Sequence, residues 1–180
     1  YYLMRIRKFK FKRVISTNDT AIRIIKQTNL DSGMVISETQ KKGKGQYGRK
    51  WISLKGNLFV SFFFNINNTK LPIKRLTKIN CYLVKKAIAN FYKKKIIFKP
   101  PNDLLINNKK ICGILQETVI NVNKKFLIVG IGVNVNKSPT ISNYPTTNLY
   151  EITGKKFIYK LVAKSLKLNF EKEFLKILKR

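Results

Sequence analysis

The first candidate for chemistry is a glycine-rich, cationic segment, "KKGKGQYGRKW", which ends at the chain's only tryptophan. Its cations can close on an anion, while Trp51 offers an apolar plate to a flat ring. Gly43, Gly45 and Gly48 satisfy the dinucleotide pattern G-x-G-x-x-G, but strand-like sequence follows instead of a helix, and Arg49 replaces the P-loop lysine. The segment therefore predicts a hinged flap over an anionic ligand, with a solvated surface loop as the alternative.

A second cluster lies in "FKPPNDLLINNKKICGILQE", where polar residues surround a predicted hairpin. Its members are Lys99, Asn102, Asp103, Lys109 and Lys110. Lysines stabilise the charge of a neighbouring carboxylate, so Asp103 could help hold a metal-bound nucleotide or orient an attacking amine. A turn carboxylate that accepts backbone hydrogen bonds is the alternative.

A third cluster is the strand-like run "VGIGVNVN". Gly130 and Gly132 fall on one face of the strand, followed on that face by Asn134 and Asn136. A ligand could lie flat against bare backbone there, and close packing of the sheet explains the glycines equally well.

The composition excludes several classes of site. Histidine is absent and only Cys81 and Cys112 are present, which excludes most zinc sites and every hydrolytic triad that needs histidine. Cys112 lies in the apolar run "ICGIL", as expected of a reduced core thiol. The sequence lacks both an apolar run of about 18 residues and a secretory signal, so we expect a cytoplasmic protein without membrane association.

The net charge of +30 suggests nucleic-acid binding first. The cations are spread along the whole chain, however, as a general composition bias would produce, and form no single stripe. We expect the charge to attract anionic substrates and an acidic protein partner instead.

The elements that must position these clusters can be read from periodicity. "RVISTNDTAIRIIKQTNL" predicts a short strand and a helix capped at Ser16, Thr17 or Asn18, with Ile22, Ile25 and Leu30 buried. "SGMVISETQ" and "GNLFVSFFFNI" predict strands, and the second, with aromatics on both faces, is expected in the middle of a sheet.

Two amphipathic helices follow from apolar spacing, one opening at Pro72 and one closing the chain. Between them, turns at Asn107-Asn108 and at residues 121–123 predict a three-strand meander, followed by the loop "SPTISNYPTTNL". The order predicts an α+β fold with a mixed, largely antiparallel sheet in a single domain.

The three clusters, in this order, resemble the motifs of the biotin protein ligase family. That family carries a G-R-G-R-x-G-R-x-W loop, a K-W-P-N-D segment leading to K-x-x-G-I-L-x-E, and a G-I-G-x-N-V-N strand. "STN" at the start of the first helix resembles its first biotin-side segment. The resemblance spans residues 13–175.

The resemblance implies the biotin/lipoate ligase catalytic fold, with ATP, biotin and Mg²⁺ as reactants and a biotin carboxyl carrier domain as acceptor. It assigns the biotin side to Ser16, Thr17, Asn18, Gln40, Gly43, Lys44, Lys110, Gly113 and Gly132. It assigns the nucleotide side to Gln46, Arg49, Trp51, Asn102 and Asn134. It gives catalytic roles to Lys110, Lys99, Asp103 and Arg49, with Lys110 bridging the biotin carboxylate and the α-phosphate. No residue is assigned to a protein-held metal.

The chain departs from the family pattern at Lys44 and Gln46, which replace two arginines, and at Pro100, which replaces tryptophan. The first two changes remove guanidinium groups that can bind phosphate through two parallel hydrogen bonds, so looser retention of the adenylate is expected. We expect residues 1–180 to form one catalytic domain without an N-terminal DNA-binding domain or a C-terminal SH3-like domain.

Three alternatives stay open, and one of them is a degenerate ligase, suggested by Gln46, that binds biotin but transfers it slowly. A lipoate or octanoate ligase shares an N-D-x-x-x-x-x-K-K-x-x-G pattern, although its R-R-x-S-G-G-G run is missing here. A basic nucleic-acid-binding module would need exposed aromatics among the cations, whereas those in "LFVSFFF" are predicted to be buried. Homodimerisation through an exposed edge of the meander also stays open.

Overall fold

A computed structural model describes residues 5–178 of the chain. The strands are β1 (Arg7–Val14), β2 (Ser32–Gln40), β3 (Gly43–Lys44), β4 (Lys50–Trp51), β5 (Leu58–Asn65), β6 (Ile97–Lys99), β7 (Asp103–Ile106), β8 (Lys109–Asn121) and β9 (Lys124–Val133). The helices are α1 (Thr17–Gln27), α2 (Ile73–Ile88), α3 (Leu149–Thr153), α4 (Tyr159–Asn169) and α5 (Leu175–Ile177). A π-helical turn, Phe170–Phe174, joins α4 to α5.

Within residues 5–178, seven strands form one sheet in the order β1-β2-β5-β9-β8-β7-β6. Only β1 and β2 are parallel, and α1 supplies the crossover that a parallel pair needs. The other neighbouring strands are antiparallel. The predicted α+β fold with a mixed, largely antiparallel sheet is confirmed.

The sheet separates two apolar clusters. On one face, α1 packs Ala21 and Ile25 against Phe63 of β5. On the other face, Phe62 and Phe64 pack with α2, α4 and the π turn, where the Phe62 and Phe170 ring centroids lie 4.4 Å apart. The aromatics of β5 are thus buried on both faces, as predicted, so β5 itself presents no exposed ring on which a base could stack.

The first helix begins as predicted and ends earlier than expected. Ser16 is its N-cap and accepts a hydrogen bond from the Asp19 amide, which satisfies one of the free donors of the first turn. Ile24 and Ile25 are fully buried, whereas Ile22 is only half-buried. The prediction that Leu30 belongs to this helix was wrong, because the helix ends at Gln27.

Three parts of the fold differ from the prediction. β1 is an eight-residue strand, longer than predicted, because its alternating lysines and phenylalanines suit an exposed sheet edge. The short helix α3, which Asn148 caps, was missed, because the sequence predicted only a loop that ends at its first residues. The meander has four strands, β6 to β9, instead of three.

The predicted turns are confirmed by backbone angles. Asn107 and Asn108 have φ values of 50° and 60°, which asparagine tolerates better than most residues. The β8–β9 turn places Val122 at φ 55°. These hairpins set the register that matters for the site: Asp103 pairs with Gly113, and Gly113 with Gly132, across three strands.

None of the helices described between residues 5 and 178 is long and apolar enough to cross a bilayer.

Candidate active site

The three clusters meet at one cleft of about 830 Å³. Its walls come from the flap (residues 43–51), the start of α1, the β6–β7 turn, and the facing parts of β8 and β9. A further wall is the loop of residues 137–147 between β9 and α3. Five cationic side chains and one carboxylate, Asp103, line the cleft, so it favours anionic ligands.

The floor of the cleft is bare backbone covered by the flap tryptophan. The Trp51 ring lies so close to β8 and β9 that a Cβ at Gly113 would stand 2.6 Å from it, and one at Gly132 2.4 Å. Gly130 is covered by the Asn18 amide, where a Cβ would stand 2.3 Å from Oδ1. The glycines of "VGIGVNVN" therefore allow Trp51 and Asn18 to pack closely against the strand.

Hydroxyl and amide groups form the part of the cleft next to α1. The backbone N–H and the hydroxyl of Thr17 both donate to Gln40 Oε1, at 2.8 and 3.1 Å. The Gln40 amide donates in turn to Ser53 at 3.1 Å. Ser16 accepts its capping bond at 3.4 Å, and a hydroxyl that accepts still has its own proton to donate.

Asn18 is held by residues from two strands. Its Nδ2 donates to Glu117 of β8 at 2.6 Å, and its Oδ1 accepts from Ser61 of β5 at 2.5 Å. The side chain is buried, and both ends of its amide are bonded within the protein. The structure therefore gives Asn18 a supporting position at the floor of the cleft, and its predicted contact with biotin stays a prediction.

The cationic part of the cleft centres on Lys110. Its Nζ lies 2.9 Å from Asp103 Oδ1, 5.2 Å from the Trp51 ring centroid and 5.3 Å from that of Tyr144. Lys99 Nζ lies 4.6 Å from the same Tyr144 ring. The Tyr144 hydroxyl donates a hydrogen bond to Asp103 Oδ2. Two ammonium groups, a carboxylate and two rings thus share one corner of the cleft.

Two pKa values at the cleft depart from their ordinary ranges. Burial, with a smaller contribution from the hydrogen bond to Asp103, raises the pKa of Tyr144, so the phenol stays protonated at neutral pH. The hydrogen bond to Asp19 raises the pKa of Lys44. That ion pair, 2.5 Å long, links the flap to the first turn of α1.

Four polar atoms that line the cleft are buried without a hydrogen-bond partner among the described residues. They are Gln46 Oε1, Trp51 Nε1, Asn134 Oδ1 and Asp103 Oδ1, the last of which has its ion-pair contact with Lys110. An unpaired buried polar atom is costly, so groups of this kind at a cleft are candidates for ligand contact.

Every predicted site residue except Gly43 lines this cleft. Gly43 lies behind the flap, paired with Trp51, and a Cβ there would stand 2.5 Å from the Trp51 carbonyl oxygen. Arg49 and Lys99 reach the cleft from exposed positions, and the Asn102 carbonyl accepts from the Ile114 amide at 2.9 Å. The roles of these residues stay predictions.

Sequence reasoning missed three residues of the site. Ser61 and Glu117 support Asn18 from central strands, and Tyr144 comes from a loop without a recognisable pattern. Glu117 ends the K-x-x-G-I-L-x-E motif, which was the one available signal.

Comparison with known proteins agrees with this geometry. The sequence profile of the biotin/lipoate A/B protein ligase family matches residues 10–134. The chain belongs to that family. The predicted resemblance is therefore confirmed at the level of the family.

Individual relatives of this ligase-family chain are consistent with that assignment. The bifunctional ligase/repressor BirA of Bacillus subtilis is 29% identical over 167 residues, which cover 88% of this chain and 51% of BirA. The biotin protein ligase from Aquifex aeolicus in complex with biotin and ATP is 33% identical, with a TM-score of 0.79 over 96% of this chain and 72% of that one. The P. falciparum LipL1 in complex with lipoate, at 11% identity and TM-score 0.66 over 94% and 62%, shares the fold. The chain spans about half the length of the Bacillus BirA proteins it matches.

Proposed function

We propose that the protein is an ATP-dependent biotin–protein ligase. In this proposal it joins biotin to AMP and then passes the biotinyl group to a lysine of a biotin carboxyl carrier domain. The supporting observation is the succession of two chemically different surfaces along β9. The Asn18 amide covers Gly130, whereas the Trp51 ring covers Gly132, with Lys110 Nζ 5.2 Å from the centroid of that ring. Two residues of a strand span about 7 Å, so one small molecule can contact both surfaces.

The neutral polar surface suits the bicycle of biotin, which is uncharged and carries an apolar tail. Thr17 is bonded to Gln40, and Asn18 to Glu117 and Ser61. The proton of the Ser16 hydroxyl is free to donate to the ureido oxygen. A pocket of this kind fixes the orientation of the ligand with few polar groups.

The cationic surface suits the first reaction step. An oxygen of the biotin carboxylate attacks the α-phosphorus of ATP, the bond to the bridging oxygen breaks, and pyrophosphate leaves. Two anions must approach each other, so Lys110, Lys99 and Arg49 supply positive charge before and during the step. No proton is transferred in this step, which is consistent with a chain that has no histidine.

In the second step, the acceptor lysine amine attacks the carbonyl carbon of the mixed anhydride. AMP leaves, and the nitrogen gives up a proton to solvent. Asp103, the one carboxylate among the described residues that line the cleft, orients the amine. The flap excludes water from the anhydride until the carrier arrives.

Magnesium is not assigned to a protein site. No group of three metal-ligating side chains occurs within residues 5–178, and Asp103 forms an ion pair with Lys110 and accepts a hydrogen bond from Tyr144. The ion would accompany the nucleotide phosphates, where it neutralises charge on pyrophosphate as it departs.

The test compares two acids. The protein is incubated with ATP, Mg²⁺ and either biotin or lipoate, and pyrophosphate release is measured. We expect release with biotin, followed by labelling of a biotin carboxyl carrier domain but not of the same domain with arginine in place of its acceptor lysine. Release with lipoate alone would identify a lipoate ligase, and release with neither acid would refute the proposal.

A further inference from the structure

Tyr144, on the loop between β9 and α3, contacts each charged group in the cationic corner of the cleft. Its hydroxyl donates to Asp103, and the ammonium groups of Lys99 and Lys110 lie 4.6 and 5.3 Å from its ring centroid. The neighbouring residues 141–143 are exposed, whereas Tyr144 itself is half-buried. The loop therefore turns this one side chain into the cleft.

The backbone of the same loop is bonded to Lys110. The Lys110 N–H donates to the Pro145 carbonyl at 2.8 Å, and the Thr147 N–H donates to the Lys110 carbonyl at 2.9 Å. The Thr146 hydroxyl also donates to the Pro139 carbonyl, which closes the loop on itself. The position of Tyr144 is thus fixed relative to the strand that carries Lys110.

The geometry of Asp103 decides how much of Lys110 remains available to a ligand. Its Oδ1 lies 2.9 Å from Lys110 Nζ, and its Oδ2 accepts from Tyr144. An ammonium group has three donors, and a carboxylate that turned both oxygens toward Lys110 would occupy more than one of them. The hydrogen bond from the Tyr144 phenol keeps Asp103 Oδ2 turned away from Lys110.

We propose that Tyr144 is a positioning residue, whose hydroxyl keeps Asp103 in a one-oxygen contact with Lys110 and leaves the other Lys110 donors free for the carboxylate of the acid substrate. The inference rests on the proposed biotin-activating function and names a determinant of that same site. Because burial raises the pKa of Tyr144, the phenol remains a donor across the neutral range.

The test uses Tyr144→Phe, which keeps the ring and removes only the hydroxyl. Trp51 is the only tryptophan and lies 5.2 Å from Lys110, so its fluorescence reports binding without any nucleotide. Biotin and biotinamide are titrated, since the amide keeps the bicycle and lacks the carboxylate. We expect the dissociation constant of the variant to rise about 10-fold for biotin, as for one lost charge-assisted contact. It should change less than about two-fold for biotinamide.

Two controls separate this role from a structural one. Tyr82→Phe, on the exposed side of α2, should bind both ligands as the wild type does. In an Asp103→Asn background, Tyr144→Phe should raise the dissociation constant for biotin by less than about two-fold, because the two residues act as one unit.

Unchanged biotin binding by Tyr144→Phe, or equal weakening of both ligands, would overturn the inference while leaving the proposed function intact. A wild-type protein that binds neither ligand would overturn both.

Discussion

The indole ring of Trp51 covers the backbone of Gly132 so closely that a Cβ there would stand 2.4 Å from the ring. Gly132→Ala must therefore displace the ring, and we expect it to lower the free energy of unfolding by about 1–3 kcal/mol. Thermal unfolding together with Trp51 emission measures both effects. Gly45→Ala is the matched control, because a Cβ there meets nothing nearer than 3.4 Å. Equal melting temperatures for Gly132→Ala and the wild type would refute the packing argument.

Lys110 is the side chain on which the proposed chemistry depends most. Lys110→Ala removes the ammonium group that lies 2.9 Å from Asp103 and leaves that carboxylate, 12% exposed, without its ion pair. We expect adenylate formation to fall at least ~100-fold, which corresponds to ~2.7 kcal/mol at the transition state. Lys109→Ala, which removes only an exposed contact with Glu151, is the control. Near-normal pyrophosphate release by Lys110→Ala would exclude the role.

Glu117 should act on biotin through Asn18. Glu117→Ala removes the acceptor 2.6 Å from Asn18 Nδ2 and frees the amide to rotate away from Ser61. We expect Glu117→Ala to raise KM for biotin about 10-fold and to leave KM for ATP unchanged. Glu117→Gln keeps an acceptor oxygen, so its KM for biotin should rise less. Steady-state kinetics with each substrate varied in turn measures the two constants. A parallel rise of both would indicate general damage to the fold.

The flap should respond to ligand. It carries Lys44 and Arg49 at exposed positions, and its exposed ion pair with Asp19 contributes little stability. We expect biotin with ATP to slow tryptic cleavage within the flap and to leave cleavage at residues 93–95, an exposed segment far along the chain, unchanged. Mass spectrometry of timed digests compares the two. Equal cleavage of the flap with and without ligand would argue against closure.

The two thiols should be inert in the native state. Burial raises the pKa of Cys81 to about 11 and that of Cys112 well above its ordinary value. An unfolded cysteine ionises near pH 9, so the folded state holds more protons above that pH and loses stability as the pH rises from about 9 toward 11. Ellman titration should find neither thiol at pH 8 and both in denaturant. A rapidly reacting native thiol would contradict the assignment of both to the core.

The sequence predicted those helices and strands whose apolar residues recur at the period of the element and form its buried face. β5 and α2 are of this kind, because their apolar residues repeat at the spacing of the element that forms. β1 was underestimated, because lysines fill its exposed positions and its stability comes from pairing with β2. α3 was missed, because five residues give too short a pattern.

The residues of the site also divide into those that the sequence could predict and those that it could not. Lys110, Gly113 and Gly132 could be assigned because they fall on motifs of the family that the sequence resembles, and the close packing of Trp51 explains why both glycines are needed. Tyr144 and Ser61 could not, because their partners Asp103 and Asn18 are 41 and 43 positions away and are brought near by the closure of a loop and by the packing of α1 on the sheet. Gly43 was placed in the site by its motif, whereas the fold uses it to admit the Trp51 backbone.

The cross-strand alignment of Asp103, Gly113 and Gly132 limits where residues can be inserted into the chain or deleted from it. One codon inserted within β7, β8 or β9 would send the following side chains to the opposite face and dismantle the cleft. The hairpin tips at residues 107–108 and 122–123 lie outside that alignment. Epitope tags or reporter labels belong there.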